Sequence, residues 1–295
     1  MALATNLGFP RIGPNRELKK AVEAYWDGKL NETQLRHAAE EIRRDNWRYQ
    51  QRHGLAHIPS NDFSLYDHML DTTAIVGAIP SRYGHAGESI GLDTYFAMAR
   101  GTTGGNGKPS VPAMEMTKWF DTNYHYIVPE FEKGQRFRLL DNKPLRDYLD
   151  AKAIGIETRP VLVGPVTYLL LGKAKDPSVK PLDLLDSLLP VYERVLSSLA
   201  AVAAQWVQID EPALGLTLDD ATREAYHKAY ARLAAAVPSL KLLTAVYFSD
   251  LRDNLDTALR LPVAGLHLDL VRGPGQLAEV LPKLGPAKVL SVGVV

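Results

Sequence analysis

Apolar residues recur along this chain with two spacings, and the switch from one to the other marks the elements. Leu18, Ala21, Val22, Tyr25 and Trp26 fall at helical spacing behind Pro14, so LGFPRIGPNRELKKAVEAYW at 7–26 predicts a strand, a glycine-proline turn and a helix start. The stripe Leu35, Ala38, Ala39 and Ile42 predicts a second helix over 31–52, with Asn31 and Gln34 spaced as a capping box and Gly54 as its stop. AHIPSNDFSL at 56–65 reads as a short extended segment running into polar Ser60, Asn61 and Asp62, and 66–77 reads as helix. From Thr158 the rhythm becomes regular. Apolar runs at 158–165, 205–212, 241–248, 264–271 and 288–295 alternate with helical patterns at 181–204, 220–237, 250–261 and 275–284. Near-continuous apolar strands separated by helices mean a parallel sheet covered on both faces. Adding the opening strand, the Ile58 segment and one near 124–128 gives eight strands, the number that closes a TIM-type (βα)8 barrel, with the last helix cut off after Val295.

Composition narrows the partners more than the fold. With 295 residues, 46% of them hydrophobic, the chain can bury a large core as one barrel domain over 1–295. Lys plus Arg equals Asp plus Glu at 34 each, so no global field favours nucleic acid or an anionic membrane, and charge recognition has to be local. The absence of cysteine removes disulfides, thiolate nucleophiles and thiolate metal ligands. Residues 1–6 carry no basic, apolar leader, and no apolar run approaches the roughly 18 residues of a membrane span, so a soluble, cytoplasmic protein is expected.

Several motifs are candidates for chemistry. Arg16, Lys19 and Lys20 fall on the first turns of the opening helix, where cations oppose the dipole, which points to an anionic visitor or to plain solvated surface. The glycine-rich run at 101–107 lacks phosphate-loop spacing, and Lys108 is followed by proline, so it reads as a flexible loop. AMEMTKWFDTNYHYIVPE at 113–130 crowds Lys118, Trp119, Asp121, Asn123, Tyr124 and His125, a composition that buried aromatics with satisfied polar tips also produce. At predicted strand ends stand Asn61, Asp62, Asp210, Glu211, Ser249, Asp250, His267 and Asp269. Asp210 or Glu211 with Asp269 would make a hydrolase pair, though neighbours on a strand point to opposite faces. His125, His267, Asp269 and Glu211 could hold a metal, but no histidine pair has the helical i, i+4 spacing that would make the signal specific. No G-x-S-x-G elbow supports a serine nucleophile.

Taken together, the blocks at 7–26 and 113–130, with IPSNDFSLYDHMLD at 58–71, VLVGPVTYLLLGK at 161–173, WVQIDEPAL at 206–214 and GLHLDLVR at 265–272, closely resemble the cobalamin-independent methionine synthase family over nearly the whole chain. The resemblance implies the N-terminal half of an enzyme built from two face-to-face (βα)8 barrels. That enzyme methylates homocysteine from 5-methyltetrahydropteroyltri-L-glutamate. By the same resemblance, the zinc that activates the homocysteine thiolate belongs to the C-terminal catalytic barrel, which is absent here, so no catalytic residue, metal ligand or independent turnover is expected of this chain. The resemblance assigns the polyglutamate tail of the folate to Arg16, Glu17, Leu18, Lys19, Lys118 and Asn123, with Arg16 and Lys19 as the clamp and Glu17 orienting the lysines. QIDEPAL and VGPVT become retained barrel architecture. A self-sufficient barrel hydrolase and a purely structural half-enzyme are the alternatives.

Overall fold

Local signals place the helix starts. Asn31 Oδ1 accepts the Gln34 N–H and Gln34 Oε1 accepts the Asn31 N–H, each at 2.9 Å, closing the capping box that opens the longest helix. Asp67 caps another helix by accepting the Leu70 N–H at 2.9 Å, and Gly77, at φ 67°, ends it in the left-handed conformation that glycine adopts freely. The computed structural model describes residues 2–104 and 109–295, so part of the glycine-rich loop, with Lys108, lies outside the described residues.

In chain order the helices are α1 (Glu17–Trp26), α2 (Glu32–Arg52), α3 (His68–Val76), α4 (Leu92–Arg100), α5 (Lys143–Ala153), α6 (Pro165–Leu170), α7 (Leu185–Ala201), α8 (Asp220–Ala236), α9 (Leu255–Arg260) and α10 (Gln276–Val280). The strands are β1 (Ile58–Ser60), β2 (Met116–Lys118), β3 (His125–Ile127), β4 (Glu130–Phe131), β5 (Thr158–Val163), β6 (Lys173–Ala174), β7 (Trp206–Asp210), β8 (Lys241–Ala245), β9 (Gly265–Asp269) and β10 (Val289–Gly293). Six of them, in the order β1-β5-β7-β8-β9-β10, form one parallel sheet that curls into a half-barrel. Ile58 pairs with Thr158, Val161 with Gln208, Trp206 with Lys241, and Val289 with Gly265. All five apolar runs from Thr158 onward are therefore neighbours in this sheet, as their alternation with helices requires.

Two of the eight expected strands are not in it. The opening segment meets it through an isolated parallel bridge between Thr5 and His57 and the Ala56 N–H to Ala4 carbonyl bond at 2.8 Å, with Arg159 and Gln208 side chains donating to the Asn6 and Leu7 carbonyls at 2.6 and 3.2 Å. Pro10 and Pro14 remove donors there, and the Phe9 N–H goes to the Asp62 carboxylate at 2.8 Å instead of a ladder. β3 pairs antiparallel with β2, and the Asp67 carboxylate takes the Ile127 N–H at 3.0 Å. Helix α1 also begins later than Pro14 suggests, at Glu17 behind Arg16, whose φ of 63° is left-handed.

The main core lies between the sheet and α6–α9, around fully buried Tyr168, Leu196, Ile209, Tyr230 and Leu268. A second core joins α1, α2, α3 and α4 through Leu18, Val22, Leu35, Leu70 and Phe96. This second layer fixes α1 beside the strand-end loops. No helix among the described residues is long and apolar enough to cross a membrane.

Candidate functional site

Because the six strands run parallel, their C-terminal ends gather on one side, where the following loops enclose a cavity of about 870 Å³. Its floor carries Asp62, just beyond β1, and Asp210, the last residue of β7. Trp119, Tyr124, Tyr247 and Phe248 contribute aromatic walls, and Arg11 reaches in from the turn before α1. Asn61 and Phe248 both hold left-handed backbone, φ 62° and 65°, at the ends of their strands. A bulky residue such as Phe248 in that region is strained, and strain of this kind gathers where the fold must aim a loop.

Asp210 accepts hydrogen bonds from Gln208 Nε2 at 2.6 Å and Tyr247 OH at 3.0 Å, yet burial pushes its pKa up to about 7. Asp62 is raised to about 6 for the same reason, and the Phe9 N–H only partly offsets this. The buried cation Arg159 acts on Asp210 through its charge, with no hydrogen bond between them. It donates to the Asn6 carbonyl at 2.6 Å and lies 3.5 Å from His57 Nδ1, and burial lowers its own pKa to about 10. On the adjoining wall Asp67 is held at about 6 and His68 is lowered to about 4, burial being the leading cause in both.

Glu211 follows Asp210 but faces the other way. Its oxygens accept the Thr167 N–H at 2.8 Å and the Val166 N–H at 3.4 Å, so it anchors the first turn of α6 behind the sheet. Complete burial raises its pKa from 4.5 to about 7. The folded state thus keeps a proton that the unfolded chain releases near pH 4.5, and stability falls as pH rises through that window. Glu211→Gln keeps an acceptor for Thr167 and removes the charge. The variant is expected to gain on the order of 2 kcal/mol over wild type above pH 7 and little near pH 4.5. Urea unfolding at pH 5 and pH 8 checks this, and a difference that does not widen would mean that the carboxyl ionises normally in the fold.

Asp269 is also structural, because it accepts the N–H groups of Phe248, Val271 and Arg272 at 2.9, 3.0 and 2.9 Å. Glu211 lies behind the sheet, while Asp269 lines the cavity with Asp210 but has both oxygens engaged by backbone N–H groups, which ties it to the loop and not to the acid–base work of a hydrolase. The candidate metal set does not converge either. Exposed His125 turns to the Asn123 carbonyl at 3.0 Å and His267 Nδ1 to Ser291 Oγ at 2.8 Å, and among the described residues no cluster of three or more such donors is placed to hold an ion.

The six residues assigned to the folate tail lie outside the cavity wall, beside it. Arg16, just before α1, and Lys19 on it are exposed, and Lys19 Nζ stands 3.5 Å from Glu23 in a solvent-facing pair. The Arg16 and Lys118 side chains have no ion-pair partner among the described residues, and Asn123 is exposed at the tip of the β2–β3 hairpin. Leu18 is a correction. It is 3% exposed in the second core, and its N–H is taken by the Ile12 carbonyl at 3.2 Å, so it offers a ligand nothing. Glu17 bonds the Asn15 N–H and side-chain amide, each at 3.0 Å, and so holds the turn before α1, while Lys20 acts on it through charge alone. Those bonds and its own N–H, the largest cause, hold its pKa below the usual carboxylate value.

What joins the two blocks is Arg11, which sequence reasoning left unmarked within FPRIGP. Its guanidinium sits 5.7 Å from the Tyr124 ring centroid, so the α1 turn meets the hairpin carrying Lys118 and Asn123.

The family profile described as "Cobalamin-independent synthase, N-terminal domain" matches residues 3–295. The 5-methyltetrahydropteroyltriglutamate–homocysteine methyltransferase of Nitrobacter winogradskyi is 55% identical over 302 residues, covering 98% of this chain and 39% of that protein. The enzyme of the same name from Acidiphilium cryptum is 56% identical over 296 residues, covering 100% of this chain and 38% of its own. The chain therefore spans about 39% of the length of such relatives. A putative vitamin-B12 independent methionine synthase from Listeria monocytogenes superposes with a TM-score of 0.64 at 12% identity, over 100% of this chain and 81% of that one, a likeness of fold alone.

Proposed function

Since this chain belongs to the cobalamin-independent methionine synthase family as its N-terminal domain, we propose that it grips the polyanionic γ-glutamyl tail of a methylfolate while methyl transfer to homocysteine proceeds on a C-terminal catalytic domain outside this chain. The observation that carries this reading is the contact of Arg11 with Tyr124, which we read as joining two basic blocks into one strip along the cavity rim. Arg16 and Lys118 flank that strip without carboxylate partners among the described residues, and Lys19 holds only a solvent-exposed one. A flexible chain of carboxylates is the complement of such a strip. Leu18 and Glu17 support it from within. The relatives' names, which specify a triglutamate, agree with this substrate.

The zinc of the family finds no donor set in the described residues, and the chain has no cysteine, so no chemical step is assigned to it here. The same reading has the curled sheet close into an eight-strand barrel in the longer protein, supported by the parallel Thr5–His57 bridge beside β1. In the full-length enzyme, Arg16→Ala and Lys19→Ala are each expected to raise KM for the triglutamate donor several-fold and to leave the monoglutamate form nearly unchanged. Each exposed charge contact is worth about 1 kcal/mol or less, which sets that scale. Equal losses for both donors would sink the clamp.

A further inference from the structure

We propose that Asp67 is the positioning residue of the tail-binding strip: by holding the Tyr124 ring against Arg11, it sets that guanidinium on the rim before a glutamyl chain arrives. The inference rests on the tail clamp and names the group that orders it. Asp67 is 1% exposed, so it acts through other residues and not on the ligand.

This one buried carboxylate serves three segments. Its Oδ2 accepts the Leu70 N–H at 2.9 Å, which caps α3, and the Ile127 N–H at 3.0 Å, which docks β3 against that cap. Its Oδ1 accepts the Tyr124 hydroxyl at 3.2 Å. The Tyr124 ring in turn meets Arg11, whose guanidinium lies 5.7 Å from the ring centroid and makes no ion pair among the described residues. A phenol that donates to a carboxylate has a more electron-rich ring, which strengthens its hold on a cation. The Asp67 charge also reaches Arg11 directly, since Arg11 is one of the groups that lower the Asp67 pKa against the larger effect of burial. His68 does not take that place. Its Nδ1 is 3.4 Å from Asp67 Oδ1, but burial lowers its pKa to about 4, so it is uncharged at neutral pH. The hairpin needs such an anchor, because β2 and β3 share three residue pairs and a two-stranded hairpin is marginal alone. The exposed Asp121–Arg272 pair at 2.6 Å and the Tyr124–Asp67 bond tie its outer part to the body, and the latter ends on a buried charge. An arginine ordered in advance loses less freedom when an anion binds.

Steady-state kinetics of the full-length enzyme with triglutamate and monoglutamate donors test this. Asp67→Asn keeps an acceptor for the Leu70 and Ile127 N–H groups and removes the charge, while Tyr124→Phe keeps the ring and removes the hydroxyl. Each is expected to raise the ratio of triglutamate to monoglutamate KM about three- to tenfold at little-changed kcat. The double variant should be no worse than the more damaged single one, and in an Arg11→Ala background Asp67→Asn should add nothing, because all three act through one contact. A residue that only supports the fold would lower thermal stability and affect both donors alike. The proposal is overturned by equal losses for both donors, by additive effects in the double variant, or by an unchanged KM ratio in either single variant; should Asp67→Asn not fold, Tyr124→Phe decides. Arg16→Ala and Lys19→Ala measured alongside separate the two readings. A tail-selective loss there with none at Asp67 or Tyr124 overturns the positioning and leaves the clamp standing, whereas no tail-selective loss in any of the four overturns both.

Discussion

Gly164→Ala is expected to destabilise the protein by roughly 3 kcal/mol or more, the upper range for forcing an atom into a packed interior. Gly164 precedes α6, and a Cβ added there would fall 2.0 Å from Glu211 Cδ and 2.1 Å from its Oε1. The obstacle cannot swing away. Glu211 is fully buried and tied to the Thr167 N–H, and the Gly164 N–H is itself bonded to the Asp210 carbonyl at 2.8 Å. Relief requires pulling Glu211 off the first turn of α6 or shifting the end of β7, which carries Asp210 into the cavity. The urea midpoint should drop with an unchanged slope, and adding Glu211→Ala should recover part of the loss by removing the atoms in the way. A variant within about 0.5 kcal/mol of wild type would show that this corner is loosely packed.

Lys143→Met should cost roughly 3–5 kcal/mol at neutral pH, because it leaves buried carboxylates without their cation. Lys143 Nζ lies 3.0 Å from Asp147 Oδ2, 3.5 Å from Asp71 Oδ2 and 2.9 Å from Asn61 Oδ1, and its side chain is only 14% exposed. Arg43, 3.8 Å from Asp147, compensates partially. Burial already raises the pKa of Asp71, and Lys143 is the strongest influence lowering it. Without the lysine Asp71 holds its proton to higher pH in the folded state, so the variant's deficit should shrink as the solution is acidified. Chemical denaturation of both proteins at pH 5 and pH 8 reads this directly, and a deficit independent of pH would mean that lost packing, not lost charge, is responsible. Asn61 also loses one of its two side-chain bonds, keeping only that to the Val161 carbonyl at 2.7 Å, so the cavity wall should loosen together with the fold.

The elements were legible wherever the signal was local. The capping box at Asn31 and Gln34 formed as its spacing implies, since both partners lie within one helical turn. The apolar runs from Thr158 became adjacent parallel strands because a strand buried on both faces must be apolar at nearly every position. The opposite orientations of Asp210 and Glu211 also follow from strand geometry. The sheet holds six of the eight expected strands, and the two outside it are those where distant side chains intervene. Asp62 takes the Phe9 N–H from a residue 53 positions away, and Asp67 takes that of Ile127 from 60 positions away. Nothing in either segment announces such a partner. Leu18 was misread for a related reason: it stands within a basic motif, but its position on the α1 stripe puts it in the core.

The amino-acid order by itself determined the alternation of strands and helices, the balance of charge, the lack of any thiol and the family, all of which are properties of neighbours or of sums. Only the tertiary structure decided which backbone N–H groups each acid accepts, which acids line the cavity, and that Arg11 crosses to Tyr124. Burial and countercharge depend on groups that the chain brings together from far apart. A carboxylate's role is therefore set by its surroundings in the fold and not by its place in the sequence.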